Sequence, residues 1–168
     1  MRCGMFQIGN FVLSATNGIC EIVDVVNMNI SGSDRNYFLL VPVEEKTAKV
    51  YIPVDAAADR VRLVLSKDEA LEVIKSIPEI EETWVENDKE RERIYKDAMG
   101  SRNPKRLIGI IKTLYRRKME RLDAGKKCTA VDERYFKLAE NQLFAELAFA
   151  LGEPKQNMQQ IIKENIEA

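Results

Sequence analysis

The spacing of apolar residues changes period at Ser66, and that change divides the chain into two differently built halves. Before it, short apolar runs recur between turn signals. Phe11-Val12-Leu13 precedes a turn at Asn17-Gly18. A long β-rich run over residues 19–30 is broken by Ser31-Gly32-Ser33-Asp34, and further runs follow at 37–43, 48–54 and 61–65. Five short strands in so few residues cannot make a large sandwich. They predict a small, strongly bent barrel of SH3 or Tudor type. Pro42 and Pro53 have no N–H to give to a ladder, which predicts them at strand edges or bulges.

From Ser66 onward the pattern is helical. Ser66-Lys67-Asp68-Glu69 reads as a capping box, with Ala70, Leu71, Ile74 and Ile77 lining one face as far as Pro78. Residues 79–90 are polar and acidic, interrupted only by Ile80, Trp84 and Val85, and read as a linker or an irregular helix start. A second helix is expected from about Asn87 to Met99, stopping at Gly100. Asn103 and Pro104 predict the start of a third, in which Leu107, Ile108, Ile111, Leu114, Tyr115, Met119 and Leu122 keep helical spacing to about Asp123. Thr129 with Asp132 suggests another cap. The run over residues 143–151 is apolar on nearly every side and predicts the central helix of a bundle. Gly152 ends it, and Pro154 begins a short helix carrying Met158, Ile161, Ile162 and Ile166. The expected architecture is a two-domain α+β protein. A small SH3/Tudor-like β-barrel spans residues 1–65, a connecting helix and linker 66–84, and an all-α bundle 85–168.

Charge is distributed as unevenly as hydrophobicity. The net charge is −1, yet residues 91–127 carry 13 basic and 4 acidic side chains, a net of +9. Residues 1–90 carry 9 and 16, and residues 128–168 carry 4 and 7. A concentrated basic block inside a neutral chain points to a polyanionic partner. Lys105, Lys112 and Arg116, with Arg117 beside them, lie on the polar side of the third helix, and Lys126 and Lys127 extend the same charge into a turn. Lys89, Arg91, Arg93 and Lys96 open the second helix. For these four, pairing with Glu86, Glu90 and Glu92 along the helix stands beside phosphate contact as an explanation.

Other classes fit less well. The chain has no histidine, the commonest general base and metal ligand. Cys3, Cys20 and Cys128 are too scattered for a zinc site or a disulfide framework, and suit a reducing cytosol. Phosphate-cradling and nucleophile-elbow motifs do not occur. No enzyme activity, metal or cofactor is therefore expected. No stretch reaches the roughly 18 to 20 apolar residues of a membrane span, and the opening residues lack the apolar core of a signal peptide. Residues 1–4 read as an appended or upstream start, because Met5 would also serve as an initiator. A reader of methylated side chains would need about three aromatics at one barrel mouth, for which Phe11, Tyr37, Phe38 and Tyr51 are the candidates.

Several segments, taken in order, resemble the CarD/CdnL family of bacterial transcription regulators, whose N-terminal domain is shared with transcription-repair coupling factors. Phe6-Gln7-Ile8-Gly9-Asn10-Phe11-Val12 is similar to the family's F-x-[VI]-G-[DN]-x-V start, and Asn17-Gly18 to its turn. Tyr51-Ile52-Pro53-Val54 and Val61-Arg62-Leu63-Val64 are similar to the strands that follow. Ile108-Gly109-Ile110-Ile111-Lys112-Thr113-Leu114-Tyr115-Arg116-Arg117-Lys118 resembles the family's V-V-R-D-L-W-R-R helix. Asp132-Glu133-Arg134-Tyr135-Phe136-Lys137-Leu138-Ala139 resembles its E-R-x-x-L-x-x-A segment. The likeness spans roughly residues 5–151. It implies a monomeric, cytoplasmic, nucleoid-associated protein. Its β-domain would bind the RNA polymerase β subunit by strand-edge pairing, using Met28, Asn29, Lys49 and Tyr51. Its helical domain would hold promoter DNA upstream of the bubble, largely without regard to sequence. Trp84 is the residue matching the family's minor-groove wedge. The sequence departs from the family in carrying Glu86 and Asp88 just after that tryptophan, where members are basic.

Overall fold

The computed structural model describes residues 6–167, which form two compact units, one extending to Val64 and the other beginning at Leu65. Cys3 and the residues around the alternative start at Met5 lie outside the described residues.

The N-terminal unit is one antiparallel sheet of β1 (Phe11–Ser14), β2 (Gly18–Ile30), β3 (Ser33–Pro42), β4 (Val50–Pro53) and β5 (Val61–Leu63), in the order β4-β3-β2-β1-β5. All five expected strands are present. The expected closure into a barrel is not: the order is linear, and β4 and β5 remain at its two edges. The short helix α1 (Ala57–Arg60), entered through a 3₁₀ turn, fills the connection between them. Val12, Cys20, Ile22, Phe38, Leu40 and Ile52 form the core, and Phe6 packs edge-on against Phe38. Pro42 and Pro53 close their strands, and Pro53 lies on an edge strand, where a missing donor costs least.

The β2–β3 hairpin turns through Ser31 and Gly32, both at positive φ, as a two-residue connection between paired residues Ile30 and Ser33 requires. Val23 is an extra residue at a register shift between Ile22 and Asp24. This bulge changes which residues face the core. Ile22 stays opposite Leu40, Asp24 is left outside, and Val25 comes opposite Phe38. Beyond Ile22, β2 pairs only with β3, because β1 reaches no further than Glu21.

The C-terminal unit contains α2 (Lys67–Ser76), α3 (Arg91–Gly100), α4 (Pro104–Asp123), α5 (Ala130–Leu151) and α6 (Lys155–Ile166). The capping box on α2 is complete: the Ser66 hydroxyl accepts from the Glu69 N–H at 3.1 Å, and the Glu69 carboxylate from the Ser66 N–H at 2.9 Å. Its buried face differs from the expected one. Ala70, Val73 and Ile77 point inward, and Leu71 faces solvent. The segment 66–84, read from the sequence as a connecting helix and linker, thus contributes Ala70, Val73 and Ile77 to the helical core. α3 starts later than expected, because Asn87 caps a separate 3₁₀ turn over Asp88–Glu90. It does not stop at a left-handed Gly100; Arg102 takes the positive φ instead. α4 has the expected cap at Asn103, but its apolar stripe loses cover toward the end, where Met119 and Leu122 are exposed. α5 packs against α2, α3, α4 and α6, which is why its last turns are apolar nearly all round. Gly152, in the left-handed region, ends it.

Candidate nucleic-acid interface

Between Ile80 and Asn87 the backbone has no regular structure, yet the first part of this segment is fastened to α4. The Lys112 ammonium donates to the Ile77 carbonyl and, at 2.7 Å, to the Ile80 carbonyl. The Thr83 N–H donates to the Gly109 carbonyl at 3.3 Å. The Thr113 hydroxyl lies 3.1 Å from the Thr83 carbonyl and 3.0 Å from that of Gly109. The approach is close because position 109 has no side chain: a Cβ there would stand 2.8 Å from Thr83 Oγ1 and 3.3 Å from the Glu81 carbonyl. Arg116 completes the row with an ion pair to Glu82.

The next residue along this strap is Trp84, and its side chain is out in solvent, 81% exposed. It stands between two open recesses. One is lined mostly by polar and acidic groups, among them Glu86, Asp88 and Glu90. The other is lined by Arg91, Arg116 and Arg117 with Thr83 and Thr113.

The cations proposed from the sequence to meet DNA, with Arg106, fall into two sets. Arg91 pairs with Asp88 at 2.7 Å and donates to the Tyr95 hydroxyl at 3.1 Å; it is mostly covered. Arg93 pairs with Glu90 and Asp97, and Lys96 approaches Glu92 at 3.8 Å. Arg116 pairs with Glu120 as well as Glu82, and both hydrogen bonds hold its pKa above the ordinary value. Arg117 donates to Asp132, a carboxylate only 1% exposed that also accepts from the buried Tyr95 hydroxyl at 3.2 Å. Desolvation pushes the Lys112 pKa down, opposed by the nearby Glu82. The second set is Lys89, Lys105, Lys126 and Lys127, together with Arg106. These are exposed and have no ion pair or side-chain hydrogen bond among the described residues. Lys105 and Arg106 begin α4 and Lys126 and Lys127 follow it, at opposite ends of a helix about 30 Å long.

The sequence thus discloses the cations and the short-range partners Glu90 and Glu92, but not the distant ones. Glu82 and Asp132 reach Arg116 and Arg117 from 34 and 15 residues away, outside any local spacing rule. The polarity of the strap predicts a linker or an irregular helix start, not a segment fastened along its first part. Its one sequence signal was Gly109, an isolated glycine inside a helical run, which often marks a close approach.

In the N-terminal unit, Lys49 precedes the edge strand β4 and exposed Tyr51 lies on it, while Met28 and Asn29 lie on the part of β2 that β1 does not reach. Asn29 is tied across the hairpin to Asp34 at 3.0 Å. Of the four aromatic candidates for a methyl-group cage, Tyr37 and Phe38 are buried. Cys20 is also buried, which pushes its thiol pKa up to about 11 and removes it as a nucleophile at neutral pH. Among the described residues, no group of three acidic or cysteine side chains is placed to hold a metal, and no helix is long and apolar enough to cross a membrane.

Residues 6–65, nearly the whole N-terminal unit, match the model of the CarD-like/TRCF RID domain. No curated protein matches the chain.

Proposed function

We propose that the chain is a non-catalytic transcription regulator that binds the RNA polymerase β subunit through its N-terminal unit and contacts promoter DNA upstream of the bubble through its helical unit. The domain family supports polymerase binding, and two unpaired stretches of strand are suited to it: the edge strand β4, with Lys49 and Tyr51, and the outer part of β2 that β1 does not reach, with Met28 and Asn29. The reading of the helical unit rests on Trp84. An indole left almost entirely in water forgoes roughly 2 kcal/mol or more of burial, and a strap bound to α4 holds its backbone there. An apolar wedge in the minor groove would recover that energy on DNA that is already distorted, and would favour the opened promoter.

The unpaired cations support the same partner. α4 carries Lys105 and Arg106 in its first turn, which has no acidic residue. Positive charge at a helix N-terminus opposes the macrodipole, so an external anion would relieve it. Phosphates meeting Lys105, Lys126 and Lys127 would position the DNA without reading bases. Of the other candidates, Lys89 is free to join them. Arg91, Arg93, Lys96, Lys112, Arg116 and Arg117 would reach a phosphate only by sharing or exchanging their present partners. Capture of polymerase β-subunit fragments by the full chain and by residues 1–65 tests the first half of the reading; no capture by either refutes it.

A protein-only adaptor is the competing reading, favoured by the carboxylates that neutralise the central arginines and by the acidic recess beside Trp84. It predicts no salt-dependent binding to fork DNA, whereas the DNA reading predicts binding that falls steeply with salt.

A further inference from the structure

The contacts between α4 and the strap have a regularity that DNA binding does not explain. Gly109, Lys112, Thr113 and Arg116 stand at i, i+3, i+4 and i+7, so they form one stripe of α4. An amphipathic helix normally spends such a stripe on apolar packing or leaves it to solvent. Here the first three positions serve main-chain groups of the 3₁₀ turn Ile77–Glu79 and of the irregular segment that follows it. Gly109 gives room and accepts the Thr83 N–H; Lys112 satisfies the carbonyls of Ile77 and Ile80; Thr113 meets the carbonyl of Thr83. The Ile80 and Thr83 carbonyls, in a stretch without secondary structure, need such partners when water cannot reach them well, whereas the Ile77 carbonyl, in the 3₁₀ turn Ile77–Glu79, also accepts the Ile80 N–H at 3.2 Å. Lys112 spends at least two of its three donors on the Ile77 and Ile80 carbonyls and is partly desolvated in doing so.

We propose that Gly109, Lys112 and Thr113 are positioning residues that form a latch, holding the 77–83 strap on α4 and so fixing where Trp84 stands. The latch belongs to the free protein; only the purpose of holding Trp84 rests on the function proposed above. Each component contributes differently: the glycine by the side chain it lacks, the lysine by reaching two carbonyls at once, and the threonine by a hydroxyl next to the residue that precedes the indole. Lys112, a cation on the face expected to meet phosphate, thereby acts on DNA through Trp84.

Hydrogen exchange and the fluorescence of the chain's only tryptophan test this in the full-length protein without DNA or polymerase. Lys112→Met keeps the length of the side chain and removes its donors. It should speed exchange of the Thr83 amide about tenfold or more, because charge-assisted hydrogen bonds are lost, and lower Trp84 anisotropy, with amides in the middle of α4 unchanged. Gly109→Ala approaches the same contact from the other side. Alanine is the better helix former, so the thermal midpoint should not fall, yet the methyl group displaces Thr83 and exchange there should again accelerate. Lys105→Met, on the same helix without a partner, should change neither readout. Wild-type protection of Thr83 in both Lys112→Met and Gly109→Ala overturns the latch; if Lys112→Met fails to fold, Gly109→Ala decides alone. Neither readout depends on promoter DNA, so a failed latch leaves the wedge standing and a failed wedge leaves the latch standing.

Discussion

Arg117 and Lys127 carry the same charge in the same basic block, and the structure gives them opposite surroundings. Arg117 faces Asp132, which is buried and also bonded to Tyr95, so removing the guanidinium strands a carboxylate away from water. Arg117→Met should destabilise the fold by about 3 kcal/mol in urea titration; a change below about 1 kcal/mol would mean Asp132 finds another partner. Lys126 and Lys127 sit in an exposed turn. Replacing both with glutamine should leave stability within about 0.5 kcal/mol and reduce the salt slope of fork-DNA binding by about 2. An unchanged slope removes them from the interface. At this scale the sequence disclosed the identity of the charges and their short-range pairs, such as Arg93 with Glu90. It could not disclose Asp132 for Arg117 or Glu82 for Arg116, because those pairs exist only once distant segments have packed.

Elements were more legible than contacts. The cap at Ser66, the start of α4 at Asn103 and the end of α5 at Gly152 were all readable, because caps are local chemistry. Ser66→Ala should cost about 1 kcal/mol, measured by the same urea titration. What failed was whatever depended on neighbours. Leu71 fits a helical stripe on paper, but the face that meets the core runs through Ala70, Val73 and Ile77. The bulge at Val23 and the open sheet edges come from strand pairing, which a pattern of period two does not determine. Those edges carry the polymerase prediction. Lys49→Glu combined with Tyr51→Ala should weaken β-subunit capture about tenfold if β4 is the docking edge, without altering fork-DNA binding. Equal capture would move the contact to the outer part of β2 or elsewhere.

For the whole molecule, the functional reading joins a recognised β-domain to a helical unit whose most conspicuous feature is one exposed indole. The match of the β-domain to the CarD-like/TRCF RID domain points to RNA polymerase as its partner, and the proposal gives the helical unit the contact with DNA. Whether the two act together is a question of kinetics at a promoter, and it turns on Trp84. The decisive measurement is the lifetime of open promoter complexes formed by polymerase with wild-type protein or with Trp84→Ala, after confirming that both bind polymerase equally and have equal thermal midpoints. Trp84→Ala should give shorter-lived complexes than wild type. Equal lifetimes would contradict the account and leave the helical unit as a protein-binding adaptor.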